Sequence, residues 1–285
     1  MNPILKKIFT VDPFVEMNQK VPGEVCNLLK GKWVQGETFR KDIPDPINGE
    51  NFLNVPDTIE YTEFINNLEI CPKSGLHNPL KNVERYLMLG KVCAKVAEAL
   101  RNEEVLGYFV KLIQRVMPKS DSQCLGEVKV TRVFFENFSG DNVRFLARSF
   151  SNPGDHLGQE SSGYRWPFGS VCVIAPFNFP LEIPALQVMG ALFMGNRPLV
   201  KVDSKVSVVF EQLLRLLIHC GLPAEDVDFI NCKGQVMGEL VEKSENKIRL
   251  LQFTGSKEVA NKLAVDSKGK IKIEDAGFDW KIIGP

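Results

Sequence analysis

The sequence predicts an α/β chain in which a five-stranded parallel sheet flanked by helices is preceded by an N-terminal arm and a helical segment. Two observations carry that expectation. After Gly163, short apolar runs alternate with amphipathic helical patterns, as right-handed βαβ units require. Before it, apolar residues recur at helical spacing through residues 82–150, while residues 1–80 are rich in Pro, Gly and Asn.

Fragments such as DIPDPINGENF and CPKSGLHNPL make residues 1–80 an extended arm with short strands. Leu87, Val92, Val96, Leu100, Val105, Phe109, Leu112 and Val116 predict two packed helices that stop at Pro118. Val130, Phe134, Phe138 and Leu146 continue the pattern as a further long helical element over 126–150, which SNPGDHLGQESSG breaks. Parallel strands are expected at 171–175, 198–202, 227–231, 249–253 and 270–273, with helices at 184–194, 206–220, 234–243 and 256–266 between them. Five strands with four crossovers suffice for a Rossmann-type, dinucleotide-binding sheet. The chain thus divides into 1–80, 81–162 and 163–285.

Composition narrows the function. Lys plus Arg and Asp plus Glu both total 35, and no basic run stands out, so nucleic acid and anionic membrane surfaces are not expected partners. No apolar stretch approaches the roughly 18 residues of a membrane span. The seven cysteines are scattered without CxxC spacing and read as reduced thiols. His77, His156 and His219 share no metal-ligand spacing, so no metal is expected. The N-terminus has two lysines but also Asp12 and Glu16, with no Arg before Arg40, so neither a transit peptide nor a secretory signal is expected.

The chemistry should sit at the strand ends. In WPFGSVCVIAPFNFPLEIP, Val171 to Ala175 reads as a buried strand, Pro176 stops the ladder, and Pro180 and Pro184 open a helix. Asn178 then stands at the strand's C-terminal edge, where its amide can donate to a developing oxyanion or serve as a turn residue. Lys201, followed by Asp203 and Ser204, can meet ribose hydroxyls or a phosphate, or be an ordinary solvated lysine. Gly234 and Gly238 at a helix start permit close approach of a pyrophosphate, or simply make a tight turn. Thr254, Gly255 and Ser256 have the same double reading, since either hydroxyl can cap the next helix. Glu274, before Asp275 and Gly277, is suited to act as a general base in a cleft, or to pair at the surface with Lys272 or Lys281.

The ordered set PFNFP, KVDS, GQVMG, FTGSKEVA and EDAG resembles the NAD-binding half of the aldehyde dehydrogenase superfamily. The wording of RWPFGSV, KVDSKVS, CGLPAEDVDFIN and EDAGFDWKIIGP is similar to the plant-type branch of delta-1-pyrroline-5-carboxylate dehydrogenase, from about Trp33 to the end. The resemblance implies an aldehyde dehydrogenase-like fold that binds NAD and serves the oxidation of glutamate semialdehyde to glutamate. It gives Asn178 as oxyanion donor and Glu274 as base for the hydrolytic water. It puts Phe177, Lys201, Asp203, Ser204, Gly234, Gly238, Thr254, Gly255, Ser256 and Val259 at the cofactor, with Val259 on the adenine.

It also implies a homo-oligomer whose hairpin begins within 81–162, and a place in the mitochondrial matrix, with the cytosol as alternative. The family often has Pro and an acidic residue where KVDS stands, which leaves NAD against NADP open, and glutamate-leucine-glycine-glycine where EDAG stands. The family's nucleophilic cysteine follows the general base in a glycine-glutamine-cysteine context that none of the seven cysteines has. The expectation is therefore the N-terminal part of such an enzyme, lacking the catalytic domain and inactive alone. The alternative is a non-catalytic short form that binds NAD or pairs with a full-length subunit.

Overall fold

The computed structural model describes residues 3–40, 43–244, 246–275 and 282–284. Its centre is a seven-stranded sheet with the order Ile271–Glu274, Leu251–Thr254, Ser170–Ala175, Arg197–Val202, Asp228–Phe229, Asn27–Leu29, Lys32–Val34. The first five are parallel neighbours. The expected parallel sheet is therefore present and is extended by two antiparallel strands from the N-terminal region, with Leu28 opposite Phe229. The chain enters the middle of the parallel array at Ser170–Ala175, builds outward to Asp228–Phe229, then returns to lay Leu251–Thr254 on the other side of its starting strand. Strand order reverses there, and the carboxyl ends of strands at such a point diverge to leave a crevice.

The apolar run SVCVIA forms the central strand because both of its faces are covered, and all six residues are buried. Alternate residues divide between two cores, as the two-residue period of a strand dictates. Val173, Ala175, Val200, Val202 and Phe229 belong to a large core shared with helices Glu182–Phe193 and Ser207–His219 and with the helical segment. Cys172, Ile174 and Leu199 belong to a smaller one with Met237, Leu240 and Val241 of helix Gly234–Lys243 and Ala260 and Leu263 of helix Lys257–Asp266.

Helices Glu84–Arg101 and Glu103–Val116 occupy the expected region, separated by Asn102, whose side chain caps the second at Glu104 N, 2.9 Å away. The third helix differs from the expected 126–150. It spans Asp121–Asn137 and starts from a capping box in which Ser120 and Gln123 bond reciprocally. It ends before Gly140, which has φ +64° and presses so closely on Gly90 that a Cβ there would lie 1.8 Å from the Gly140 carbonyl oxygen. Past that contact the chain makes a 3₁₀ turn at Arg144–Ala147 and then an exposed hairpin, Ser149–Pro153 against Glu160–Tyr164. Phe150, placed on a helix by spacing alone, lies across this ladder over Gly163, whose missing Cβ makes room for the ring.

A buried ion pair ties the arm to the sheet. Asp228 accepts from Arg197 Nη1 at 3.0 Å, Asn67 Nδ2 at 2.7 Å and Lys30 N at 3.0 Å, and the Arg197 and Asp228 side chains are 5% and 0% exposed. Asp228→Ala leaves the Arg197 charge buried without its partner, so a loss of about 3–5 kcal/mol is expected. Thermal or urea unfolding measures it; a change below about 1 kcal/mol would show that water or a neighbour replaces the carboxylate.

Candidate active site and dinucleotide crevice

The carboxyl ends of the parallel strands line a crevice of about 810 Å³ at the point where strand order reverses. Residues 175–179 form one wall; Lys201 and Asp203 form another. Gly234, Gly238, Thr254, Gly255, Ser256 and Val259 lie around the far side, and Glu274 and Asp275 stand at the rim.

Two helix N-termini open onto it. Helix Gly234–Lys243 follows Lys233 and helix Lys257–Asp266 follows Ser256, and neither N-cap side chain bonds back to the helix. Their first N–H groups are therefore free of the usual capping partner, and the positive ends of both helices face the crevice, which suits an anionic pyrophosphate. This decides against the capping role for Ser256. No atom lies within 4 Å of a Cβ built on Gly234, so the backbone there is open to a ligand. A Cβ on Gly255 would instead strike the Phe253 ring at 2.6 Å, so that glycine is required by the turn as well.

Asn178 sits in the turn between the central strand and helix Glu182–Phe193, with Phe177, Asn178 and Phe179 exposed and Pro180 and Leu181 buried. Its side chain makes no hydrogen bond to any described residue, although an Asn that held the turn would bond neighbouring backbone. The amide is available to whatever enters the crevice.

Glu274 ends the edge strand and is exposed at the rim, where its Oε2 accepts from Thr254 Oγ1 at 3.4 Å. Thr254 Oγ1 in turn accepts from Gln187 Nε2 at 2.6 Å, so a polarised chain of hydrogen bonds runs from a buried amide to the carboxylate. Glu274 is thus held by Thr254; Lys281 and Gly277 lie outside the described residues. Gln187 was not singled out from the sequence. Its one signal there is a polar residue inside the otherwise apolar run PALQVMGALF.

Ser204 does not join the crevice. It is 6% exposed, and its hydroxyl takes Arg40 Nη1 at 3.4 Å behind the wall that Asp203 forms. The side chains of neighbouring loop residues point apart, so Asp203 faces the crevice while Ser204 faces the protein. Phe177, Lys201, Asp203, Gly234, Gly238, Thr254, Gly255, Ser256 and Val259 are all brought together as lining residues.

The seven cysteines stand away from the crevice, and six are buried. Burial pushes Cys26, Cys220 and Cys232 up to about 11 and Cys93 to about 12, and it raises Cys71, Cys124 and Cys172 as well. Among the described residues, no group of three or more His, Cys, Asp and Glu could hold a metal ion, and no helix is long and apolar enough to cross a membrane.

A parallel sheet with a dinucleotide-sized crevice at its switch point, an unpartnered amide and a carboxylate on its rim describes a class of NAD-binding domain, and the class has a family. Residues 85–277 match the aldehyde dehydrogenase family, and the chain belongs to it. It is 56% identical over 272 residues to the Arabidopsis thaliana protein named delta-1-pyrroline-5-carboxylate dehydrogenase 12A1, mitochondrial, an alignment covering 95% of this chain and 48% of that protein. The chain spans about half the length of the curated relatives it matches. Among solved structures, an aldehyde dehydrogenase from Brucella melitensis biovar abortus 2308 superimposes with a TM-score of 0.75 at 21% identity, over 88% of this chain and 51% of that one. An NADP-dependent glyceraldehyde-3-phosphate dehydrogenase from Bacillus halodurans C-125, complexed with NADP, does so with a TM-score of 0.71 at 23% identity, over 90% and 53%.

Proposed function

We propose that this chain is the NAD-binding portion of a dehydrogenase that oxidises glutamate semialdehyde to glutamate. The observation that carries the reading is that Asn178, with no hydrogen-bond partner among the described residues, and Glu274, held by Thr254, line one crevice of dinucleotide size at the sheet's switch point. The substrate follows the name of the 56% identical Arabidopsis protein, and a mitochondrial location follows the same name.

The residues fit a dinucleotide. Two uncapped helix N-termini meet its pyrophosphate, Lys201 its ribose hydroxyls, and Val259 with Leu263 gives the adenine an apolar wall. The Asp203 carboxylate on the crevice wall opposes a further phosphate on the ribose, which favours NAD over NADP. Bound there, NAD supplies the hydride acceptor.

Asn178 Nδ2 donates to the aldehyde oxygen as it takes negative charge under thiol attack. Thiol attack leaves a thiohemiacetal, and loss of its hydride to the bound acceptor leaves a thioester; Glu274 takes a proton from the water that cleaves this thioester, and Thr254 keeps the carboxylate turned toward that water. None of the seven cysteines lines the crevice and six are buried, so none is placed to supply the attacking thiol. The hairpin Ser149–Pro153 with Glu160–Tyr164, exposed along its length, is the element offered to a second subunit.

The reading is tested by titrating the 285-residue chain with NAD and NADP by calorimetry. Saturable NAD binding is expected, with NADP at least about tenfold weaker because of one like-charge contact. Lys201→Ala should weaken NAD severalfold. A folded chain that binds neither dinucleotide would remove the basis for the crevice's assignment.

A further inference from the structure

The turn that carries Asn178 is anchored by a carboxylate from a distant part of the chain. Leu181 precedes helix Glu182–Phe193 and has no side-chain cap, so the first N–H groups of that helix need partners from elsewhere. Glu127 Oε1, from helix Asp121–Asn137, accepts from Leu181 N at 2.9 Å and from Glu182 N at 3.3 Å. Glu127 Oε2 accepts from Lys119 Nζ at 2.9 Å, and that ammonium also lies 4.1 Å from the centroid of the Phe179 ring. The Glu127 side chain is 0% exposed and Lys119 is 15% exposed, so the pair is shielded from solvent. Its charge is felt nearby: burial, then the Glu127 carboxylate, raise Glu182.

Five residues separate the last strand residue, Ala175, from Leu181. Both ends of that segment are fixed, one by the sheet ladder and the other by Glu127, and Pro176 and Pro180 restrict the backbone between them. Asn178 stands in the middle, and Phe179 beside it rests against Lys119. The Asn178 side chain has no hydrogen bond among the described residues that could place it, so its position is set by these backbone anchors.

We propose that Glu127, together with Lys119, is a positioning residue for the oxyanion donor. It lies outside the crevice and acts through the Leu181 and Glu182 peptides to hold Asn178 where the aldehyde oxygen arrives. The helical segment thereby controls the geometry of the catalytic turn. The inference rests on the oxyanion role of Asn178 proposed above.

A merely structural cap and a positioning residue differ in how they couple to Asn178. The test replaces the pair in the complete protein by Lys119→Met with Glu127→Leu, an apolar pair of similar size that preserves packing while removing the acceptor of both N–H groups. Loss of register in the turn should lower kcat about tenfold to a hundredfold, because small misplacements of a reacting group have effects of that order. The NAD dissociation constant should stay within about twofold, since the helix N-termini at the pyrophosphate are untouched.

In an Asn178→Ala background the same apolar pair should lower kcat by less than about twofold, because groups that act as one unit are not additive. Glu127→Gln alone keeps an oxygen acceptor and should retain activity within about threefold. Equal losses in both backgrounds would make Glu127 a structural cap and overturn the proposal. So would an apolar pair without effect in a protein where Asn178→Ala itself is costly. If Asn178→Ala costs nothing, the oxyanion reading fails first, and the positioning role falls with it.

Discussion

Asn178→Ala in the complete protein is expected to lower kcat by about a hundredfold to a thousandfold, the usual effect of removing one preorganised oxyanion donor. The geometry makes the effect specific. The amide is exposed in the crevice with no partner among the described residues, so its loss breaks no internal hydrogen bond and should leave the fold intact. An interaction made only as charge develops lowers kcat and kcat/KM together, whereas a ground-state contact would appear mainly in KM. Calorimetry on the 285-residue chain should show unchanged NAD affinity in the same variant. A fall in kcat of less than about threefold would remove Asn178 from the reaction, because no single-donor role has so small an effect.

Glu274→Gln is expected to separate the two halves of the reaction. The amide is isosteric and can still take the Thr254 hydroxyl, so the side chain keeps its place while losing the ability to accept a proton. Hydride transfer needs no base at this position, so a rapid burst of NADH should survive. Steady turnover, limited by hydrolysis of the thioester, should slow by about a hundredfold to ten-thousandfold, the range for loss of a general base. Rapid-mixing absorbance records both phases. A variant with no burst and with both phases slowed equally would place Glu274 in the attack step instead.

Much of the site was legible because its residues lie at strand ends, which a sequence marks by a change of text. The apolar run before Pro176 fixed the strand that Asn178 follows, and the glycines and hydroxyls after the later runs, at Gly234 and at Thr254 to Ser256, do line the crevice. Ser204 shows the limit of this reasoning. Beside Asp203 in the sequence, it faces Arg40 rather than the crevice, because the chain turns after the strand and neighbouring turn residues present different sides.

The third helix shows another limit. Apolar spacing continued through Phe138 and Leu146, but the close contact of Gly90 with Gly140, invisible in local pattern, ends the helix and sends the chain into a hairpin. Gln187 was marked only as one polar residue in an apolar run, and Glu127 was not legible at all. Glu127 lies in an ordinary amphipathic helix, and its partners Leu181 and Glu182 are peptide N–H groups that carry no sequence signature.

By itself, then, the sequence determined the parallel α/β order, a crevice at the carboxyl ends of its strands and the glycine and polar residues that line it. These depend on local periodicity and on where apolar runs stop, which are properties of neighbours along the chain. The tertiary structure alone decided that strands from residues 27–34 complete the sheet, that Asp228 and Arg197 pair across two of its strands, and that a carboxylate from the helical segment holds the turn after the central strand. Each of these joins groups about 30 to 200 residues apart, and such contacts are selected by three-dimensional packing and the need to satisfy buried polar groups, which no local pattern encodes.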